Sequence, residues 1–217
     1  MLLSNIMQQG VHCRYFWLHM MIDIDTLLAT GAAYKKVKAG EIIFQESAEC
    51  YFYHQLVSGV VRWVNIDDEG NEFIQNMIDP GECFGELPLF DDAPYAASAI
   101  AETDAVILRL HKSSFIQLVI ERPDIHFRFT KLMSERLRFK FLLLNELAHH
   151  DPEQSISTLL QYMKQNNKNV CSKCYKVNLT RQQIANMTGL RVETVIRTIR
   201  HLHEKGKLVI EKGKVYC

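Results

Sequence analysis

Towards the end of the 217-residue chain, Glu193, Arg197 and Arg200 stand at i, i+4 and i+7, the spacing that gathers side chains on one face of a helix. An arginine fork matches O6 and N7 of guanine, a carboxylate accepts from N4 of cytosine, and an aliphatic group meets the thymine methyl. Glu193 and Arg197 together can therefore read one G·C pair, with Val192 and Ile196 beside them. The other account of such residues is an exposed helix ion pair worth roughly a few tenths of a kcal/mol, and the surrounding sequence favours base reading. Thr180 and Gln183 form a T-x-x-Q capping box that starts a short helix at Arg181. Thr188-Gly189 stops it, and a second helix runs from about Val192 to Lys205 and ends at Gly206. Val195, Ile199 and Leu202 form its inward face, joined by Ile184 from the first helix. Two helices about a glycine turn make a helix-turn-helix, and KLVIE and KVYC, turning at Lys212-Gly213, read as a hairpin wing whose lysines approach phosphate. The candidate DNA-contacting set is Thr180, Arg181, Gln182, Arg191, Val192, Glu193, Thr194, Ile196, Arg197 and Arg200.

Two further groupings bear on chemistry. GELPLFDDAPYAAS, Gly85 to Ser98, combines a glutamate, a turn with two aspartates and a proline, and a run of small residues, and is a candidate ligand pocket. Cys171-x-x-Cys174 has the spacing of a disulfide or of two sulfurs on one Zn²⁺. A zinc site needs two more ligands, and Cys217, His149, His150, His201 and His203 qualify only by type. The expectation is a structural turn with free thiols, with redox or metal sensing as the alternative. No nucleophile with a base, phosphate loop or H-E-x-x-H motif is present, so no catalytic residues are assigned and an enzyme is not expected.

The elements that position these groups follow from composition and punctuation. With 47% hydrophobic residues the chain can bury a core. Its apolar clusters fall short of the roughly 18 residues that a membrane span needs, and its start does not resemble a signal peptide. The cytoplasm is expected. Net charge is zero, yet Pro152–Cys217 carries 12 Lys and Arg against four Asp and Glu, and the rest 13 against 21. A basic third on an acidic remainder points to a polyanionic partner, against the blander account of a basic solvated face. From Lys35 to Leu110, short runs rich in Val, Ile, Tyr and Phe alternate with Gly, Pro and Asp turns, the pattern of an antiparallel sandwich or barrel. Asp124 to His149 reads as a helix of about seven turns, with Leu132, Leu137, Leu144 and Leu147 at helical spacing. FKFLLL makes it apolar on more than one side, so one face packs its own domain and the other suits a partner helix. Pro152 opens another helix with Ile156, Leu159, Leu160 and Met163 on one face, followed by a polar loop and a short strand, YKVNL.

KAGEIIFQE, LVSGVVRW, DPGECFGELPLF and TRQQIANMTGLRVETVIRTIRHL, in this order over about residues 35–216, resemble the Crp/Fnr family of bacterial transcription regulators. The resemblance implies an α+β chain: an N-terminal antiparallel β-roll of the double-stranded β-helix or jelly-roll type with a helical arm (1–123), a long dimerisation helix (124–150) and a C-terminal winged helix-turn-helix (151–217). It further implies a homodimer on a palindromic double-stranded DNA site and RNA polymerase as a partner, with Glu193 and Arg197 reading the G·C pair of a TGA-type half-site. Val192 stands where cyclic-AMP receptors have a base-reading arginine, and Ile196 where the Fnr branch has a serine. In the pocket (Gly85, Glu86, Leu87, Ala96, Ala97, Lys140, Phe141) the ribose-binding glutamate has its counterpart in Glu86. The Arg-Ser pair that neutralises the cyclic phosphate is replaced by Ala96 and Ala97, and the polar pair that meets adenine by Lys140 and Phe141. A buried phosphate without a cation loses its charge compensation, so cyclic AMP is disfavoured, Glu86 is expected to be a structural acceptor, and the effector is left unnamed. No cofactor is expected. Only Cys13 lies in the N-terminal arm, against an Fnr-type iron–sulfur cluster. A third reading is a cyclic-nucleotide-type module that regulates through protein contacts.

Overall fold

The computed structural model describes residues 20–149 and 151–217; Cys13, His150 and the arm expected at the N-terminus lie outside these residues. Two compact units emerge, one running to Asn65 and resuming over Gln75–Lys131, the other made of Ile66–Ile74 and Leu132–Cys217.

In the first unit a short helix, α1 (Ile24–Ala29), is capped by Asp23, whose side chain accepts from Thr26 N at 2.8 Å. Eight strands follow in the chain, all but the last residue of β4 and the first three of β5 within this unit: β1 (Ala33–Val37), β2 (Ile42–Phe44), β3 (Phe52–Ser58), β4 (Val61–Ile66), β5 (Glu72–Ile78), β6 (Cys83–Phe84), β7 (Ser98–Ala101) and β8 (Ala105–His111), with a one-turn helix α2 (Pro88–Asp91) after β6. They form two four-stranded sheets, ordered β1-β8-β3-β6 and β2-β7-β4-β5. Successive strands mostly switch sheets, so short apolar runs separated by turns close two sheets on one core, as in a jelly roll. β3 is buried at five successive positions because both its faces are covered. Tyr53 stacks on Phe115 of α3 (Lys112–Glu121) at 4.9 Å and meets Phe129 edge-on at 6.0 Å. Phe129 lies in α4 (Pro123–His149), so α3 and the first turns of α4 seal one side of the roll. Gln55, fully buried, holds the segment before α1 through both backbone groups of Ile22, at 3.0 and 2.7 Å.

In the second unit the later part of α4 packs on α5 (Pro152–Gln165), with Phe139 stacked on Tyr162 at 4.2 Å. Pro152 takes the first helical position and Asp151 caps it, and Ile156, Leu159, Leu160 and Met163 are all buried. On α4 the core side falls to Phe139 and Leu143, whereas Leu137 and Leu144, expected to mark the period, are exposed. Both sets satisfy helical spacing, so hydrophobicity alone leaves open which stripe a helix turns towards its own unit; Leu147's side chain is not among those described. The short strand expected at YKVNL is reduced to two isolated bridges, Val170–Val177 and Lys176–Tyr216. Asn169 and Tyr175 take φ of 53° and 55°, and left-handed residues interrupt an extended run. The remaining elements are α6 (Arg181–Thr188), α7 (Val192–Glu204), β9 (Val209–Glu211) and β10 (Lys214–Tyr216). Among the described residues no helix is long and apolar enough to cross a membrane.

Candidate functional site

α6 begins with the capping box: Thr180 Oγ1 accepts from Gln183 N at 3.1 Å, and Gln183 Oε1 accepts from Thr180 N at 2.8 Å. Gly189, at φ 67°, ends α6 in the left-handed region, and Arg191 precedes α7 in extended geometry with no side-chain cap. Val195, Ile199, Leu202 and Ile184 are at most 1% exposed, so the apolar stripe fixes how far α7 is rotated about its axis. That rotation leaves Glu193, Ile196, Arg197 and Arg200 exposed on the other side, flanked by half-buried Val192 and Thr194. Arg191 and Gln182 are also exposed, and Gln182 Nε2 donates to Asn186 Oδ1 at 2.8 Å. Arg181 is half-buried, its guanidinium drawn below its ordinary value by desolvation, and it reaches the Gly213 carbonyl at 3.5 Å. β9 and β10 pair as an antiparallel hairpin whose turn residues Lys212 and Gly213 both have positive φ, as a tight two-residue turn requires. Lys212 and Lys214 are exposed on this wing.

Two anchors of this arrangement escaped the sequence reading. Glu153 at the start of α5 accepts from Lys205 Nζ at 2.8 Å and Lys207 Nζ at 2.9 Å, and these two ammonium groups hold its carboxyl at about 2. His203 Nδ1 lies 3.3 Å from the Leu208 carbonyl and 3.4 Å from Ile210 N. Spacing of 52 residues or an imidazole at a helix end gives no local signal for either. Beside them a concave surface of about 400 Å³ lies between the start of α5 and α7, lined by Asp151, Glu153, Arg197, Arg200 and His201 among others.

In the first unit, Gly85 is buried at φ 65°, and Glu86 and Ala97 are buried too. A Cβ on Gly85 would lie 2.4 Å from Cζ of Phe44 and 2.9 Å from Cε1 of Tyr95. Phe44 and Tyr95 stack at 3.8 Å, so a ring pair covers the turn that opens GELPLF. The carbonyls of Ala96 and Ala97 accept from Asn65 Nδ2 at 2.8 Å and Trp63 Nε1 at 3.3 Å. Leu87 is at the start of α2 and partly exposed. Lys112, the nearby cation on α3, is occupied by the Pro88 carbonyl at 2.6 Å and Asp92 Oδ1 at 2.7 Å. Lys140 and Phe141 belong to the second unit. Phe141 is 63% exposed, and burial, with the Arg136 charge as a second cause, draws the half-buried Lys140 down to about 8. Next to Phe44 and Phe84, His54 is buried and held neutral, its imidazole lowered to about 3 by desolvation and then by Arg109 and Lys35.

Residues 34–122 match the model of the cyclic nucleotide-binding domain, and residues 154–216 that of the Crp-like helix-turn-helix domain. The cAMP-activated global transcriptional regulator CRP of Salmonella typhimurium is 30% identical over 171 residues, which span 78% of this chain and 80% of that one. The chain belongs to the Crp/Fnr family. The cyclic AMP receptor protein of Thermus thermophilus is 27% identical over 177 residues, 81% of this chain and 79% of its own. The structure of the c-di-GMP-responsive global regulator CLP of Xanthomonas campestris gives a TM-score of 0.72 at 18% identity, covering 88% of this chain and 96% of that one, a likeness of fold. This Crp/Fnr protein is thus a DNA-binding transcription regulator with a cyclic nucleotide-binding-like domain, in a family of regulators rather than enzymes. The basic C-terminal third and the helix-turn-helix are one and the same segment. Cys171 and Cys174 lie in the turn before α6, and among the described residues no group of three or more His, Cys, Asp or Glu is arranged to hold a metal ion.

Proposed function

We propose that this regulator acts as a homodimer on a two-fold symmetric DNA site, each α7 lying in a major groove. The observation that carries this reading is the split of α7: Val195, Ile199 and Leu202 are buried, while Glu193, Ile196, Arg197 and Arg200 face solvent together. Arg197 takes guanine, Glu193 the paired cytosine, Ile196 and Val192 neighbouring methyls, and Arg200 with the first turn of α6 (Thr180, Arg181, Gln182) and with Arg191 and Thr194 the flanking bases and phosphates. The exposed stripe Leu137, Phe141 and Leu144 on α4 supports a paired helix as the dimer contact. Half-sites then fall about one DNA turn apart. RNA polymerase is the protein partner that family membership suggests, and the cytoplasm the compartment.

The roll's pocket is altered. Ala96 and Ala97 supply methyl groups where a phosphate needs a cation, their carbonyls are engaged by Asn65 and Trp63, and the Phe44–Tyr95 pair covers Gly85. A phosphate set against exposed Ala96 and buried Ala97 meets no cation from either position. An effector at the roll, of another chemistry than cyclic AMP, would shift the long helices and with them the spacing of the two recognition helices. Selection from random duplexes tests the reading: the full-length protein enriches an inverted repeat containing a G·C pair in each half. Enrichment of no sequence would overturn it. Calorimetry with cyclic AMP and cyclic GMP gives no isotherm at micromolar concentrations, and a clear isotherm would overturn the altered pocket.

A further inference from the structure

Three of the chain's six cysteines converge on the base of the wing. Cys171 N donates to the Lys176 carbonyl at 2.9 Å, and Tyr175 N donates back to the Cys171 carbonyl at 2.8 Å, closing a turn over residues 171–175. Tyr175 holds φ at 55°, an uncommon conformation for an aromatic residue. Within the turn the backbone N–H and thiol of Cys174, and then the backbone N–H of Lys173, favour the thiolate of Cys171 and draw it below the ordinary thiol value. An i→i+4 bond of this kind makes one uncontinued helical turn, which sets Cα atoms three residues apart at roughly 5 Å, inside the span that a disulfide bridges. Cys174 is exposed and Cys171 half-buried, both as free thiols. Cys217 lies on the other side of Tyr175, its N–H donating to the Tyr175 carbonyl at 3.1 Å and its thiol at 3.7 Å. The segment after the turn is joined to the wing, through the Lys176–Tyr216 bridge and through Val177 N to the Val215 carbonyl at 2.9 Å.

We propose that Cys171 and Cys174 form a reversible dithiol–disulfide pair that tunes the wing's hold on DNA phosphate. This rests on the DNA-binding reading of the C-terminal unit. The oxidant is a low-molecular-weight disulfide. The Cys171 thiolate attacks one sulfur of it, its S–S bond breaks, and one thiolate leaves. The Cys174 thiolate then attacks the Cys171 sulfur of the mixed disulfide and expels the second. Two electrons pass to the small disulfide, which leaves as two thiols carrying the protons of Cys171 and Cys174. Cys171 is the attacking sulfur because the two N–H groups and the Cys174 thiol stabilise its anion, bringing it to about 7, whereas burial raises Cys217. Above neutrality the reduced turn carries a negative charge beside the strand that continues into Lys214. The disulfide carries none, so oxidation strengthens phosphate binding and salt weakens the difference.

The test uses the full chain equilibrated with graded ratios of reduced and oxidised glutathione at pH 8, then alkylated and mapped by mass spectrometry. The proposal expects an intramolecular 171–174 disulfide in the wild type, a retained glutathione adduct on Cys171 in Cys174→Ser, and no intramolecular disulfide at this turn in Cys171→Ser. A pair still reduced under oxidised glutathione alone, or a disulfide to Cys217, would overturn it. Affinity for a random-sequence duplex, which needs no base reading, is measured on both forms at low salt. Oxidation tightens it at least twofold and leaves Cys171→Ser unmoved, whereas equal affinities would overturn the coupling. Loss of sequence preference in both forms would refute the assignment of α7 while leaving this comparison readable.

Discussion

Gly85 sits at φ 65° with the Phe44 ring so close that a Cβ would lie 2.4 Å from it. Gly85→Ala must both adopt a left-handed backbone and displace a ring stacked on Tyr95, so it costs at least about 1–3 kcal/mol. The urea midpoint of the first unit's transition measures that loss. His54 gives a second handle on the same core. Its folded value of about 3 lies below the ordinary 6.5, so above pH 6.5 the imidazole is neutral in both states and its contribution to stability is complete. As pH falls from 6.5 towards 3 the unfolded chain takes up a proton that the folded chain refuses, and roughly 1.4 kcal/mol is lost per pH unit. His54→Phe, which keeps a ring beside Phe44 and Phe84, flattens the fall in stability between pH 6.5 and 4.5; urea unfolding across that range reads the slope. At this scale the sequence was uneven evidence. Glu193, Arg197 and Arg200 were legible because one helix carries all three at a fixed period. The Phe44–Tyr95 pair and the hydrogen bonds to Ala96 and Ala97 were not, since they join residues about 30 to 50 positions apart.

Among the elements, α6 and α7 were the most readable, because a capping box, a left-handed glycine and a turn of two positive-φ residues are local chemistry. α4 was readable as a helix but not as to which side it buries. Phe139 and Leu143 face its own unit, and Leu137, Phe141 and Leu144 do not. A partner helix covering that exposed stripe removes apolar surface that water would otherwise meet. Phe141→Asp therefore leaves the unfolding transition of each unit nearly unchanged, because the side chain is 63% exposed, yet raises the dimer dissociation constant by at least tenfold. Sedimentation equilibrium of the two proteins measures that shift, and an unchanged constant would contradict the proposed pairing through α4.

For the molecule as a whole, charge and fold agree. The segment from Pro152 carries 12 Lys and Arg against four Asp and Glu, and it is the segment that matches the Crp-like helix-turn-helix domain. The acidic remainder holds the roll that matches the cyclic nucleotide-binding domain. The two-part organisation is thus legible in the charge distribution, whereas the effector is not, because a pocket is defined by what several distant strands bring together. Sequence-specific reading by α7 remains the central claim, and one binding cycle tests it most directly: wild type and Arg197→Ala against the selected duplex and against that duplex with its G·C pair changed to A·T in both halves. The account predicts that wild type loses about tenfold to a hundredfold per half-site on the changed duplex, the worth of one bidentate contact, while Arg197→Ala binds both duplexes alike. An Arg197→Ala protein that keeps the full preference for G·C would contradict it.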